Sequence, residues 1–311
     1  MSAEIEAKIE KIPVIRNLMH FLQRITLPFT EELSLYELLE LYITGIAKGA
    51  ISNRAGSIAF SFFMALFPFA LFILNLIPYI PIEGFQEDFL RFVEEGVPPN
   101  TYDAIAAIIN DILNNSYKGL LSSGFVLSLF LQANGLNAIL AGFEKSQNVK
   151  LKRGFLRQYI VALGMSLIFT FLLILTVAII VIFEVFLQKT KIQDVLSDNI
   201  PLLIMGRYIF IVIMILMTTS ILFKFGTIQT SKKPFVSIGS VFTTILIIIS
   251  SYGFGIWVLR FSKYNELYGS IGTLLIMMFY IWINCMILLL GFELDATISQ
   301  HKQKILSKKS Q

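Results

Sequence analysis

The second long apolar run of the chain carries an unusual group of amide side chains, Gln132, Asn134 and Asn137. Asn134 and Asn137 are three residues apart and therefore share one face of a helix. An amide at bilayer depth is costly unless it faces another helix or a hydrated cavity. We expect this face either to hydrogen-bond between helices or to line a cavity that contacts a substrate. Asn75 and Asn284, which also lie inside apolar runs, are candidates for the same cavity.

Charged side chains stand where the apolar runs end. At one edge these are the acidic residues Glu144, Glu293 and Asp295 and their candidate partners Arg54, Lys145 and Arg153. We expect structural ion pairs among them, and a proton or ion relay is the alternative.

Glu184 and Arg207 fall at similar depth near the opposite edge. They either form an ion pair at that mouth, or Arg207 extends to the interface on its own. Pro68 lies inside the first apolar run, where a missing N–H and a ring clash predict a kink. We interpret the kink as structural, with a gating hinge as the alternative.

Catalytic patterns are missing from the sequence. The two histidines, His20 and His301, come without further ligands at metal-binding spacing, and no phosphate-binding loop, dinucleotide-binding glycine pattern or nucleophile elbow is present. The single Cys285 excludes an intrachain disulfide. The net charge of +4 is too small to indicate nucleic acid. We therefore predict no catalytic residues, no metal, no cofactor and no enzymatic activity.

The composition predicts an all-α integral membrane protein. Of the 311 residues 56% are hydrophobic and 15% are charged, and the mean hydropathy is +0.74. A bilayer core of about 30 Å needs roughly 20 apolar residues in a helix. Runs of this length predict a bundle of six transmembrane helices at about 55–81, 120–143, 157–187, 201–223, 235–260 and 268–292.

The segments outside the spans are polar. Residues 1–53 predict two amphipathic interfacial helices, of which the second begins with a capping box formed by Ser34 and Glu37 and packs on the bundle. Residues 82–118 predict an acidic outer segment with two amphipathic helices, and 296–311 form a basic tail that we expect to be disordered from His301. We expect no cleavable signal peptide at the N-terminus. One side of the predicted membrane collects 18 of the 25 lysines and arginines, so both termini are expected in the cytoplasm.

Two motifs carry a family resemblance: AGSIAFSFFMALFPF at 55–69, and YGSIGTLLIMMFYIW followed by ILLLGFEL within 268–294. Together with the polar second span and the basic loop after it, they resemble the YihY/virulence factor BrkB family of bacterial inner-membrane proteins, over roughly residues 45–300. The matching positions are Ala55, Gly56, Ala59, Pro68, Tyr268, Gly269, Leu290, Gly291 and Glu293. The resemblance implies six spans in the cytoplasmic membrane and a role in moving lipids or other amphipathic molecules, or in envelope integrity. An old label of some relatives as a tRNA-processing ribonuclease is not supported by the residues present.

The function expected from these features is that of a transporter or flippase-like protein for a lipid or other amphipathic substrate. The alternative is a structural or assembly protein that docks an envelope partner through the acidic outer segment or the basic inner surface. The expected partners are membrane lipids, with an envelope protein or a second copy of the chain left open, and no nucleic acid.

Overall fold

A computed structural model describes Gln23 and residues 34–48, 50–76, 118–146, 149, 152–189, 200–228, 234–260 and 270–309; the side chains of some helix ends, including 67–76 and 180–189, are outside this description. The described elements are α-helices. In chain order they are α1 (Leu35–Lys48), α2 (Ile51–Leu76), α3 (Lys118–Glu144), α4 (Phe155–Lys189), α5 (Ile200–Phe225), α6 (Ile238–Arg260) and α7 (Ser270–Lys309).

Helices α2 to α7 match the six predicted spans in order. Within the described ranges, five segments are long and apolar enough to cross a membrane: Gly124–Glu144, Phe155–Thr176, Tyr208–Phe225, Ile238–Val258 and Leu274–His301. Helix α2 is not among these five, although its 26 residues correspond to about 39 Å of helix. The all-α membrane fold is thus confirmed, and the crossing by α2 stays a prediction.

The predicted capping box at the start of α1 is confirmed. The Ser34 backbone N–H donates to Glu37 Oε2 at 3.0 Å, and the Glu37 N–H donates to Ser34 Oγ at 3.2 Å. These two bonds satisfy backbone donors that a helix start leaves open. Leu38 of α1 packs with Leu294 of α7, so the amphipathic helix lies on the bundle as expected.

Helices α2, α3 and α7 form the packed centre of the bundle. Ala55, Ile58 and Ala59 place the buried face of α2 against the other two helices. At Gly142 of α3, a methyl group would come within 3.0 Å of Ile58 and 3.3 Å of Leu289. The absence of a side chain at Gly142 therefore lets the three helices meet closely.

Helix α7 also packs along α6. A methyl group on Gly291 would collide with the Thr243 hydroxyl, and one on Gly239 would lie 2.6 Å from the Asp295 Cβ. This close crossing continues the bundle from α7 through α6 to α5.

The end of α7 differs from the expectation. We expected the span to end near residue 292 and the tail to be disordered from His301, but one helix of 40 residues continues to Lys309. The reason lies in the residues after Glu293, because Leu294 is buried and Ile298 packs on the contact between Leu294 and Leu38. The first N-terminal amphipathic stretch and the acidic segment 82–117 lie outside the described residues.

Candidate functional site

The candidate site lies at the edge of the bundle where α2 begins and α3 ends. Arg54, in the first turn of α2, is only 6% exposed. Its Nη1 donates a hydrogen bond of 2.8 Å to the backbone carbonyl of Gly142 on α3. Its Nη2 lies 3.9 Å from Oε2 of Glu293 on α7. Arg54 therefore links the three central helices through a single side chain.

Glu293 is the acidic partner, and it is 1% exposed. The Ser146 hydroxyl, from the turn after α3, donates to Glu293 Oε1 at 3.0 Å. The 3.9 Å between the arginine and the other carboxylate oxygen is an ion-pair distance but is too long for a hydrogen bond. We call Arg54 and Glu293 the edge pair.

A second buried pair lies nearby and is bonded differently. The Arg153 guanidinium donates from Nη1 to the Gly226 carbonyl and from Nη2 to the Phe225 carbonyl, both at 2.8 Å. Its backbone N–H donates to Glu144 Oε1 at 3.1 Å, and its side chain lies 3.9 Å from the same oxygen. This loop clamp, as we call Arg153, Glu144 and the two carbonyls, ties the segment before α4 to the ends of α3 and α5.

The environment of the loop clamp sets its protonation. Burial lowers the pKa of the Arg153 guanidinium, the Glu144 carboxylate opposes that shift, and Arg157 adds to it. An arginine stays charged at neutral pH despite such a shift. The positive charge of the clamp is thus permanent at neutral pH.

Tyr42 of α1, which lies outside the predicted spans, has a pKa that depends on the edge pair. Burial raises the pKa of the Tyr42 hydroxyl to about 12, and the negative charge of Glu293 adds to the shift. The ring packs edge-on against Phe242 of α6, with 6.4 Å between the centroids. Helix α1 therefore lies next to the edge pair, close enough for the Glu293 charge to act on Tyr42.

Three phenylalanines pack directly beside the charged residues. Phe143 and Phe292 stack, and Phe223 of α5 meets both of them edge-on at 5.8 Å. All three side chains are fully buried. This phenylalanine layer packs α3, α5 and α7 together next to the charged residues, and its buried rings exclude water from these helix contacts.

The amides predicted to line a cavity make contacts between or within helices. The Thr170 hydroxyl of α4 donates to Gln132 Oε1 at 2.8 Å, and the Gln158 amide of α4 donates to Asn137 Oδ1 at 2.9 Å. The Asn284 amide donates to the Tyr280 carbonyl of its own helix at 2.9 Å. The bonds of Gln132 and Asn137 join α3 to α4, which is the structural alternative that we weighed, whereas the Asn284 bond lies within α7. A contact of these amides with a substrate stays a prediction.

Asn134 is partly exposed, and no hydrogen bond of its side chain occurs within the described part of the chain. The side chains of Asn75, Pro68, Glu184 and Arg207 lie outside the description. Their proposed roles as cavity, hinge and mouth residues stay predictions, although α2 is one helix through position 68.

The sequence interpretation missed a buried chain of hydroxyls between α5 and α6. Ser220 donates to Ser240 Oγ at 3.1 Å, and the Thr219 and Thr244 hydroxyls are 3.3 Å apart. Ser237 and Ser240 also exchange backbone-to-hydroxyl bonds at the start of α6. The available signal was the consecutive hydroxyl run at 218–220 together with the hydroxyls spaced three and four residues apart at 237, 240 and 244.

The outer faces of the helices carry large apolar side chains. Phe155 is 80% exposed and Tyr252 is 75% exposed, and Phe171 on α4 is similarly open. Such extensive apolar exposure is typical of lipid-facing helices and not of a protein surrounded by water. Within the described ranges, no three His, Cys, Asp or Glu side chains come together as a metal site would require. The fold and its surface define a multi-pass α-helical membrane protein.

Comparison with known proteins gives the family. The family described as Virulence factor BrkB matches residues 43–311, so the chain belongs to the BrkB family. The chain is 29% identical over 259 residues to the "Putative ribonuclease-like protein YfkH" of Bacillus subtilis (strain 168), covering 82% of this chain and 91% of that protein.

Two further relatives are named only as membrane proteins. A UPF0761 membrane protein of Psychrobacter sp. (strain PRwf-1) is 20% identical over 280 residues, covering 88% of this chain and 50% of that protein. A UPF0761 membrane protein of Coxiella burnetii (strain Dugway 5J108-111) is 23% identical over 254 residues, covering 79% of this chain and 87% of that protein. No solved structure matches the chain.

Proposed function

We propose that this protein moves a lipid or another amphipathic molecule across the bacterial inner membrane, without catalysing a chemical reaction. The observation that carries the proposal is the edge pair. Arg54 and Glu293 belong to the first and last helices of the membrane domain, and both side chains are buried. Ionisable residues within membrane bundles commonly mark transport pathways.

The geometry of the edge pair supports a contact that opens. Burying two charges carries a desolvation cost that a good hydrogen-bonded geometry offsets. In both pairs the guanidinium lies 3.9 Å from the carboxylate, so neither has a direct side-chain hydrogen bond. Arg153 is held in addition by two carbonyl bonds of 2.8 Å and by its backbone bond to Glu144, whereas Arg54 has one carbonyl bond, to Gly142. A weakly bonded pair between two helices separates at lower cost than the clamp does. We therefore assign the edge pair as a gate and the loop clamp as a fixed support.

The partly exposed Asn134 adds to this proposal. It lies on the same helix as Gln132 and Asn137, whose side chains are bonded to α4. An amide that keeps hydrogen-bonding capacity at bilayer depth is suited to contact a polar head group. Asn134→Ala should therefore slow transport more than it lowers stability.

Purified protein in liposomes tests the function. Fluorescent phospholipids are placed in both leaflets, and a membrane-impermeant quencher measures how fast inner-leaflet lipid becomes accessible. We expect faster translocation than in empty vesicles for at least one lipid class, and a changed rate with Glu293→Gln. Arg153→Lys is the matched control, because it keeps the charge in the loop clamp and should leave the rate within about twofold. No increase over empty vesicles across anionic, zwitterionic and neutral lipids would contradict the proposal.

A further inference from the structure

Two of the three guanidinium nitrogens of Arg54 have no hydrogen-bond partner within the described part of the chain. Nη1 donates to the Gly142 carbonyl, but Nε and Nη2 are buried and lack an acceptor. The side chain is 5% exposed. Buried donors without acceptors are rare, since each one loses its bonds to water without replacement.

The two open donors are neighbours on one side of the guanidinium group. Nε–H and the adjacent Nη2–H point in parallel, and this edge matches the two oxygens of a carboxylate or phosphate. The Oε2 of Glu293 lies 3.9 Å from Nη2, which is too far for a hydrogen bond. The arginine thus presents a bidentate edge that its acidic neighbour does not use.

The loop clamp shows that open guanidinium donors are not a general property of arginines at this end of the bundle. Arg153 is comparably buried, with a side chain 8% exposed, and it donates from both terminal nitrogens to backbone carbonyls. The fold therefore supplies carbonyl acceptors to one buried arginine and leaves the other partly open.

We propose that the Nε–Nη2 edge of Arg54 binds an oxyanion, either the phosphodiester of a lipid head group or free inorganic phosphate, which replaces Glu293 as the partner of this arginine. The inference rests on the proposed function and specifies the substrate class of the same site. Ser146 holds Glu293 through Oε1, so the carboxylate keeps a hydrogen bond while the oxyanion occupies Arg54.

The position of Arg54 fits an oxyanion that comes from the membrane surface. Arg54 directly precedes the predicted first span, at the depth where head groups lie. Asn53 and Ser57 on the same helix are exposed. With 3.6 residues per turn they lie about 60–100° around the helix from Arg54, so the open edge of Arg54 lies next to the exposed face of α2.

Binding measurements on the purified full-length chain in neutral detergent test the inference. Isothermal titration uses three probes: inorganic phosphate, dioctanoyl phosphatidylglycerol, and dioctanoyl glycerol as the matched lipid without phosphate. We expect Arg54→Lys to weaken the phosphate-bearing probe by about tenfold or more, because an ammonium cannot form the bidentate contact. Glu293→Gln should tighten it, because the competing negative charge is gone, and dioctanoyl glycerol should respond to neither change.

Arg153→Lys is the matched control and should leave the affinity within about twofold. Arg54-dependent binding of the phosphatidylglycerol alone identifies a lipid head group, and equal binding of inorganic phosphate identifies a free anion; either result supports the shared proposal. Three results would overturn it. These are equal weakening of binding by Arg153→Lys, weaker binding with Glu293→Gln, and an affinity that Arg54→Lys leaves unchanged. Since Glu293→Gln keeps the size of the side chain, it decides the matter even where the arginine variant does not fold.

The outcome is separable from that of the transport assay. Lipid translocation without Arg54-dependent binding defeats this inference and leaves the proposed function standing. Arg54-dependent binding without translocation defeats the proposed function and leaves an oxyanion site.

Discussion

Phe143 of α3 and Phe292 of α7 stack with ring centroids 3.9 Å apart and planes 7° apart, each next in sequence to a buried glutamate. The contact therefore fixes the spacing of α3 and α7 at the depth where Glu144 and Glu293 need their partners. The positions of the charges depend on this apolar contact as much as on their own attraction.

Removing one ring of the phenylalanine layer should destabilise the bundle. We expect Phe292→Ala to cost about 3 kcal/mol, the lower end of the range for buried phenylalanines, because lipid and detergent solvate the ring better than water does. Thermal unfolding in detergent measures the effect. The control is Phe155→Ala, which removes a ring that is 80% exposed and should change stability by less than about 0.5 kcal/mol. Equal effects of the two changes would show that the layer does not hold the helices.

Adding a methyl group at the crossing of α6 and α7 should separate these helices. At Gly291→Ala the new Cβ collides with the Thr243 hydroxyl, so we expect a loss of stability of about 1–3 kcal/mol. Combining it with Thr243→Ala should restore part of the loss, since the colliding oxygen is removed. Gly164→Ala serves as control, because nothing lies within 4 Å of its Cβ, and it should be neutral or stabilising. A fully additive double variant would contradict the close crossing.

Breaking the edge pair from one side should cost more than replacing it. Glu293→Leu leaves the buried Arg54 charge without a counter-ion, and we expect a loss of about 3 kcal/mol. The double change Arg54→Met with Glu293→Leu should recover most of that loss, because no buried charge remains. Unfolding midpoints in detergent, compared as a double-mutant cycle, give the coupling. The cycle also needs Arg54→Met alone. If the losses of the two single variants simply add in the double variant, the charges do not interact.

Tyr42 should ionise only at high pH. Because its pKa is raised to about 12, the folded protein keeps the phenol protonated through the range near pH 10 where an exposed tyrosine ionises. The stability linked to this group is therefore complete below about pH 10 and is lost as the pH rises toward 12. The difference in ultraviolet titration between the wild type and Tyr42→Phe isolates this residue. Glu293→Gln should lower the Tyr42 pKa, and an unchanged value would show that the carboxylate is not felt there.

The order and approximate positions of the long helices were predictable from the sequence, because long apolar runs have few alternatives in a bilayer. The capping box was also predictable, since Ser34 and Glu37 are close in sequence and bond across three residues. The pairing of charges at the α2 and α3 edge was expected as a group. The sequence did not predict which arginine pairs with which glutamate, because that depends on which helices are neighbours.

The remaining features of the site required three-dimensional packing. Gln132 and Asn137 meet donors on α4 that lie 38 and 21 residues away in sequence, and periodicity does not give the rotation of one helix against another. The carbonyls of Gly142 and Gly226 accept hydrogen bonds from arginines. Every residue has a backbone carbonyl, so the residue type does not show which carbonyl accepts such a bond. The hydroxyl chain of α5 and α6 was overlooked because serine and threonine bond their own helices as readily as a neighbouring one.

Helix α7 connects the edge pair to a part of the chain that is predicted to lie beyond the membrane core. Its 40 residues correspond to about 60 Å, roughly twice a bilayer core, so the helix protrudes well beyond the apolar region. Glu293 lies between the apolar first part of the helix and its basic far end, and no break in the helix separates it from either. Because the helix is continuous, any displacement of its basic far end as a rigid body would also move Glu293 relative to Arg54.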